Sequence, residues 1–281
     1  VRNFTYHRGF SHSLLVLPGA AVLIWLALRR WWAPVRAAPR HWLAGIFLAL
    51  VTHPLLDAHT AYGTQLLWPF EPVPVSWATM FIIDPAYTLP LLLGVIVASF
   101  WPSRHAASIV LTVGLSLSVA YLGWTWIGKT LVEREARNAL AETGTAYTSI
   151  FSTPTPLNSL LWRVVVRTDD GYLEGFDSVL IDEGTMSFTS HPSEVEVLHD
   201  ASDIWAVQRL RWFAGDFVRA DVIDGQLVIS DLRMGQEPHY VFRHAVAEYA
   251  DPDWIPITPQ RAVMEFDRVN LDEIWHRINN P

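Results

Sequence analysis

Between residues 14 and 127 the chain holds four apolar runs that contain no Lys, Arg, Asp or Glu. They are Leu14–Leu28, Trp42–Leu56, Tyr87–Trp101 and Ala106–Ile127. A spanning helix wants about 20 apolar residues; the fourth run reaches that, and the first three, near 15, need packed neighbours or a thinned bilayer. The first run ends in Arg29-Arg30-Trp31-Trp32, snorkelling cations beside interfacial aromatics. Buried helices of a soluble protein are the alternative, but four such runs with aromatic and Arg borders predict an α-helical membrane bundle of about four transmembrane helices.

Charge divides the chain. Residues 1–149 hold 10 Lys+Arg against 6 Asp+Glu, and 150–281 hold 10 against 22, so the net −8 is the sum of +4 and −12. This predicts a membrane domain over 1–149 and an acidic soluble domain over 150–281. The acidic half argues against nucleic acid as its partner, because phosphate contacts need clustered Arg and Lys. With no Cys, disulfides, thiolate ligands and a Cys nucleophile are excluded too. Val1 stands only six residues before a histidine motif, so the chain reads as N-terminally truncated.

The positive-inside rule sets the expected orientation. Arg29, Arg30, Arg36 and Arg40 fall between the first two runs and Arg104 between the last two, whereas 58–86 has no Lys or Arg. The basic loops belong in the cytoplasm. The first histidine motif, the 58–86 loop and everything after the fourth helix belong outside, giving a multi-pass protein with an extracytoplasmic C-terminal domain.

Beyond Thr153-Pro-Thr-Pro156 the pattern becomes strand-like. Trp162–Arg167 and Gly225–Ser230 read as strands, Asp169-Asp-Gly171 and Asp224-Gly225 as turns, and Gln208–Val222 as a long strand pair. The half is predicted to be mostly antiparallel β, with a short helix near Leu271–Ile278.

Two polar motifs interrupt the apolar half: His7-Arg-Gly-Phe-Ser-His12-Ser13 before the first run, and His53-Pro-Leu-Leu-Asp57-Ala-His-Thr60-Ala-Tyr-Gly63 closing the second. His53 and Asp57, four apart, share a helix face. His7 and His12, five apart, converge only if the backbone turns, which Gly9 permits. Ser11 is expected to cap the following helix. Three imidazoles and a carboxylate suit zinc or another borderline divalent ion, with donor atoms within about 7 Å of one another. Each residue alone has a blander role: an interfacial hydrogen bond for a histidine, a helix kink at Pro54, an ion pair of Asp57 with Arg8. Their co-location favours function, because ionisable groups in a helix bundle are costly.

The motifs HRGFSHS, HPLLDAHTAYGTQLLWPF and IIDPAYTLPLLLG, in that order, closely resemble the YdjM-like membrane-bound metal-dependent hydrolases of the bacterial inner membrane, also described as LexA-binding. The likeness covers 4–101 well, and TPTPLNSLLWRVVV at 153–166 resembles the longer members. It implies a metal site of His7, His12, His53 and Asp57, with Arg8, Ser13, Thr60 and Asp84 nearby. Zinc is the implied ion and manganese the alternative. The family is distantly related to zinc phospholipase C and P1-type nucleases, which implies phosphoester hydrolysis. Metal-activated water would attack, Asp57 or Asp84 would take the proton, and Arg8 would steady the developing anion. Relatives carry an Asp-x-Asp element upstream of the first motif, where this sequence has not begun.

No Gly-rich phosphate loop, G-x-S-x-G elbow or H-E-x-x-H occurs. His191, His199, His239, His244 and His276 are scattered and read as structural, and Trp205, Trp212, Trp254 and Trp275 as core. The expected function is therefore a hydrolase acting on a phosphoester at the outer face, with membrane lipids around it. The alternative is a non-catalytic membrane protein that binds a protein partner, as the LexA-binding description implies.

Overall fold

The computed structural model describes residues 1–70, 72–100, 103–180 and 185–262. In chain order it runs α1 (Arg2–Tyr6), a 3₁₀ turn (Phe10–His12), α2 (Leu17–Trp31), α3 (Ala33–Ala37), α4 (Pro39–Ala58), α5 (Pro85–Phe100) and α6 (Arg104–Glu142). Then come β1 (Ser149–Pro154), β2 (Leu161–Arg167), β3 (Gly171–Ser178), β4 (Phe188–Pro192), α7 (Val195–Asp200) and α8 (Trp205–Ala214). The chain continues through β5 (Val218–Ile223), β6 (Gln226–Asp231), the short β7 (Gly235–Gln236) and β8 (His239–Tyr240), β9 (Arg243–Ala250) and β10 (Asp253–Arg261). An apolar helical region followed by antiparallel sheets is the architecture expected. The helix foreseen near Leu271–Ile278 lies outside the described residues.

By length and composition α4 and α6 can each cross a bilayer, and a third span follows if α1 with its 3₁₀ turn and α2, bent by 63°, count as one. Helix α5, at 16 residues, is shorter.

Contacts gather the chain into two compact units, one of Val1–Trp77 with the described chain from Glu194, the other of Ala78–Ser193. In the first unit α2 and α4 form a hairpin. Ala21 and Val35 are fully buried there, Trp25 Nε1 donates to the Pro39 carbonyl at 2.9 Å, and the Trp32 and Trp42 rings lie 4.7 Å apart. Helix α4 runs unbroken through Pro54. At about 1.5 Å per residue it is about 30 Å long, the thickness of the hydrocarbon core.

The same unit holds the antiparallel sheet β10-β9-β6-β5. Gln208–Val222 is not a strand pair: its first part lies in α8, and only its end is β5. The buried positions Ala206, Val207, Leu210, Phe213 and Ala214 recur at helical spacing, and Gly215 stops the helix at φ +59°. Arg209 masks that period. It is buried on the same helix, its guanidinium 3.9 Å over the Trp212 ring and 4.2 Å from that of Tyr6. Phe4 plugs this core, 4.6 Å from Phe213 and 4.2 Å from Phe242. His244 joins it as a structural residue: burial, then the positive charge of Arg261, pushes its pKa down and favours the neutral ring.

In the second unit β1-β2-β3-β4 form a separate antiparallel sheet. Helix α6 has 39 residues, about 58 Å of rod. Its last third buries Val132, Ala136, Ala139 and Leu140 against Trp162, Val164 and Val166 of β2. Its first half packs on α5 so closely that a Cβ on Gly114 would lie 2.6 Å from the Pro90 carbonyl oxygen, whereas one on Gly123 would meet nothing within 4 Å. Gly114→Ala should therefore destabilise the protein in detergent by about 1–3 kcal/mol, as overpacking does, and lower its thermal midpoint, while Gly123→Ala leaves the midpoint level or raises it. Equal effects would mean that the α5–α6 contact is not the close one described.

Candidate functional site

The two polar motifs meet at one end of the α2–α4 hairpin. The 3₁₀ turn carries His12 to that end, and the last two turns of α4 carry His53 and Asp57. The fastening is Arg8, only 7% exposed. Its Nε lies 3.3 Å from Asp57 Oδ2, and its Nη1 donates to the Asp57 carbonyl at 3.1 Å, Thr60 Oγ1 at 2.9 Å and Thr64 Oγ1 at 3.5 Å. The guanidinium also lies 4.9 Å from the Tyr62 ring centre. Burial pushes the Tyr62 phenol up to about 12, so it stays protonated and donates to the Phe4 carbonyl at 2.7 Å. Backbone bonds finish the seam, with Gln65 N–H donating to the Arg8 carbonyl and Leu14 N–H to that of Leu66. Gly63, at φ +99°, turns the chain where a Cβ would press on Arg233 and Pro74 at 3.2 Å.

Around this fastening His12 Nε2 lies 3.1 Å from Asp57 Oδ2, and the His12 and His53 rings are 4.9 Å apart, edge to face. The side chains of His12 and Asp57 stay 17% and 28% exposed, so the pair is reachable from outside the protein. Ser11 Oγ sits 2.9 Å from His12 Nδ1. Ser11 does not cap the next helix: Ser13 Oγ accepts from Leu15 N–H at 3.2 Å and donates to the Trp68 carbonyl at 2.6 Å.

Of the four expected ligands, His12, His53 and Asp57 adjoin. His7 turns instead to Tyr62, with ring centres 6.0 Å apart. Among the described residues no group of three or more His, Cys, Asp or Glu is disposed to hold a metal ion. The donor types suit zinc, but His12 and Asp57 are bonded to each other and Arg8 holds the same carboxylate oxygen, so the side chains as placed do not fit an ion.

The other expected site residues divide. Thr60 bridges Arg8 and the Asp57 carbonyl, to which it donates at 2.7 Å. Asp84 belongs to the second unit and is 1% exposed there. Its Oδ1 accepts from the Ala86 and Tyr87 N–H groups at the start of α5, and its Oδ2 accepts from the Tyr121 hydroxyl at 2.7 Å. Those bonds give it a helix-capping role. Tyr62 is the residue that motif reasoning passed over, and Ser11 is one that it read only as a helix cap. Both lie inside the motifs, Tyr62 beside the obligatory turn at Gly63.

Apolar helices with a polar constellation at one end define an integral membrane protein. Residues 1–132, just under half of the chain, match the family described as YdjM inner membrane protein. Comparison with curated proteins and with solved structures finds no match.

Thr60→Val keeps shape but removes the hydroxyl that Arg8 uses. It should cost about 1–2 kcal/mol in unfolding experiments in detergent, the range for depriving a buried donor. Thr52→Val, which removes only a bond to the Leu48 carbonyl of its own helix, should stay within about 0.5 kcal/mol. Equal costs would deny Arg8 its fastening role.

Proposed function

We propose that this protein is a membrane-bound hydrolase of phosphoesters whose reaction centre is the His12–Asp57 pair with His53 beside it. The observation that carries the reading is the His12–Asp57 contact: two side chains 45 residues apart in sequence, partly exposed, at the end of an apolar hairpin. Asp57 accepts a hydrogen bond from the His12 Nε2–H and so leaves Nδ1 as the base. Nδ1 faces the exposed Ser11 hydroxyl, where an attacking water can lose its proton. His53, its ring 4.9 Å from that of His12, would as an imidazolium give its proton to the leaving oxygen and then take over the proton that His12 gained from the water. Arg8 holds Asp57 in position and is a positioning residue, since its Nε and Nη1 are spent on the second motif.

The family resemblance adds a zinc or manganese ion to this proposal. The side chains as placed do not fit one, and the steps above are written without it. The positive-inside rule places the site at the outer face, with the Arg29–Arg40 stretch in the cytoplasm. A phosphoester of a lipid or envelope metabolite would reach it there, and that choice of substrate rests on analogy with the family's distant relatives.

The test is a phosphoesterase screen of detergent-purified protein on lipid-like and soluble esters, with chelator and with added zinc or manganese. Turnover is expected, and Asp57→Asn should lower kcat by at least about 100-fold, the usual worth of a positioned acid–base group. Turnover that survives Asp57→Asn unchanged would remove the pair from the mechanism. Turnover abolished by chelator and restored by zinc would replace the metal-free scheme with a metal centre.

A further inference from the structure

The opposite end of the α2–α4 hairpin has an imbalance of its own. Residues 1–56 contain no Asp or Glu, yet Arg29, Arg30, Arg36 and Arg40 cluster at the turn between the two helices. All four are exposed, as is His41. Among the described residues none of the four guanidiniums is in an ion pair. Three are held in place: Arg29 lies 5.2 Å from the Trp25 ring centre, Arg30 5.5 Å from that of Trp31, and Arg36 Nη1 donates to the Arg30 carbonyl at 3.5 Å. Helix α4 begins here with no side-chain cap and no acidic residue in its first turn. Its free N–H groups and the positive end of its dipole add to the local demand for an anion.

From this cluster an apolar groove of about 380 Å³ runs along α4, lined by His41, Trp42, Gly45, Ile46 and Ala49. Those positions share one face at i, i+4 spacing, and the stretch from 41 to 49 covers about 12 Å of helix. Gly45 keeps the groove open, for a Cβ there would meet nothing within 4 Å.

We propose that this end of the hairpin binds one anionic phospholipid, its phosphate at Arg36, Arg40 and His41 and an acyl chain along the Gly45 groove. Four cations without a carboxylate call for net negative charge, which a zwitterionic headgroup lacks. The adjoining apolar groove calls for a chain attached to that charge, which a free anion lacks. The Trp residues sit where headgroup meets hydrocarbon. The site is independent of the hydrolytic reading, since it lies at the far end of the hairpin from His12 and Asp57.

The experiment is native mass spectrometry of the detergent-purified protein, titrated with phosphatidylglycerol and phosphatidylcholine of the same acyl chains. One phosphatidylglycerol should be held at least about tenfold more tightly than phosphatidylcholine. Arg36→Gln with Arg40→Gln should cut that preference at least about tenfold, since each interfacial cation contributes about fivefold. These are exposed positions, so the variant should fold, and unchanged circular dichroism would confirm it. Gly45→Leu should weaken long-chain but not short-chain phosphatidylglycerol. Equal retention of the two lipids, a preference untouched by the double substitution, or displacement by soluble glycerol phosphate would each overturn the assignment.

Discussion

A guanidinium buried beside a bilayer-length hairpin has to be satisfied by the protein, because an unpaired charge there costs several kcal/mol. Arg8 is that group. It is satisfied by the carboxylate and carbonyl of Asp57 and the hydroxyls of Thr60 and Thr64, all on the far side of the hairpin in sequence. The entry segment before α2 is thereby tied to the exit of α4. His12 then meets Asp57, and Phe4 enters the core formed by α8 and the β5–β10 sheet. Seen this way, the ion pair that would ordinarily be the bland reading of Asp57 is what assembles the site.

The hairpin's two ends answer to different demands. One end carries a compensated polar cluster in which every charge has a partner of opposite sign, while the other carries uncompensated arginines and four tryptophans. The about 30 Å of α4 between them equals the thickness of a hydrocarbon core. The His12–Asp57 pair, partly exposed, is open to water. In the second unit α6 extends beyond the length a bilayer needs and buries its surplus turns against β2, so that one rod serves both as apolar helix and as one layer of a soluble core.

Much of this was legible in residue order. The apolar runs became α2, α4, α5 and α6, because helices that satisfy their own backbone are the only open choice for such runs in lipid. Trp162–Arg167 and Gly225–Ser230 fell within β2 and β6, with one residue of overlap in the turn at Gly225. The spacing of His53 and Asp57 placed them on one helix face, and His12 joined them. What failed did so for physical reasons. The α8 helix hid because a buried Arg209, stacked between aromatic rings, looks like a polar position to any periodicity argument. Asp84 sits before Pro85 and accepts from the Ala86 and Tyr87 N–H groups, so it caps the start of α5. The packing of Phe4 against Phe213 and Phe242 spans more than 200 residues, and no local pattern encodes a contact at that separation.

The central claim is that Arg8 and Asp57 act as one fastening between the two motifs. A double-mutant cycle of Arg8→Gln, Asp57→Asn and the pair, read by unfolding in detergent, measures that coupling directly. The account predicts an interaction energy of at least about 1 kcal/mol, within the range for residues in one charge network. Costs that add to within about 0.5 kcal/mol, the behaviour of independent sites, would contradict it.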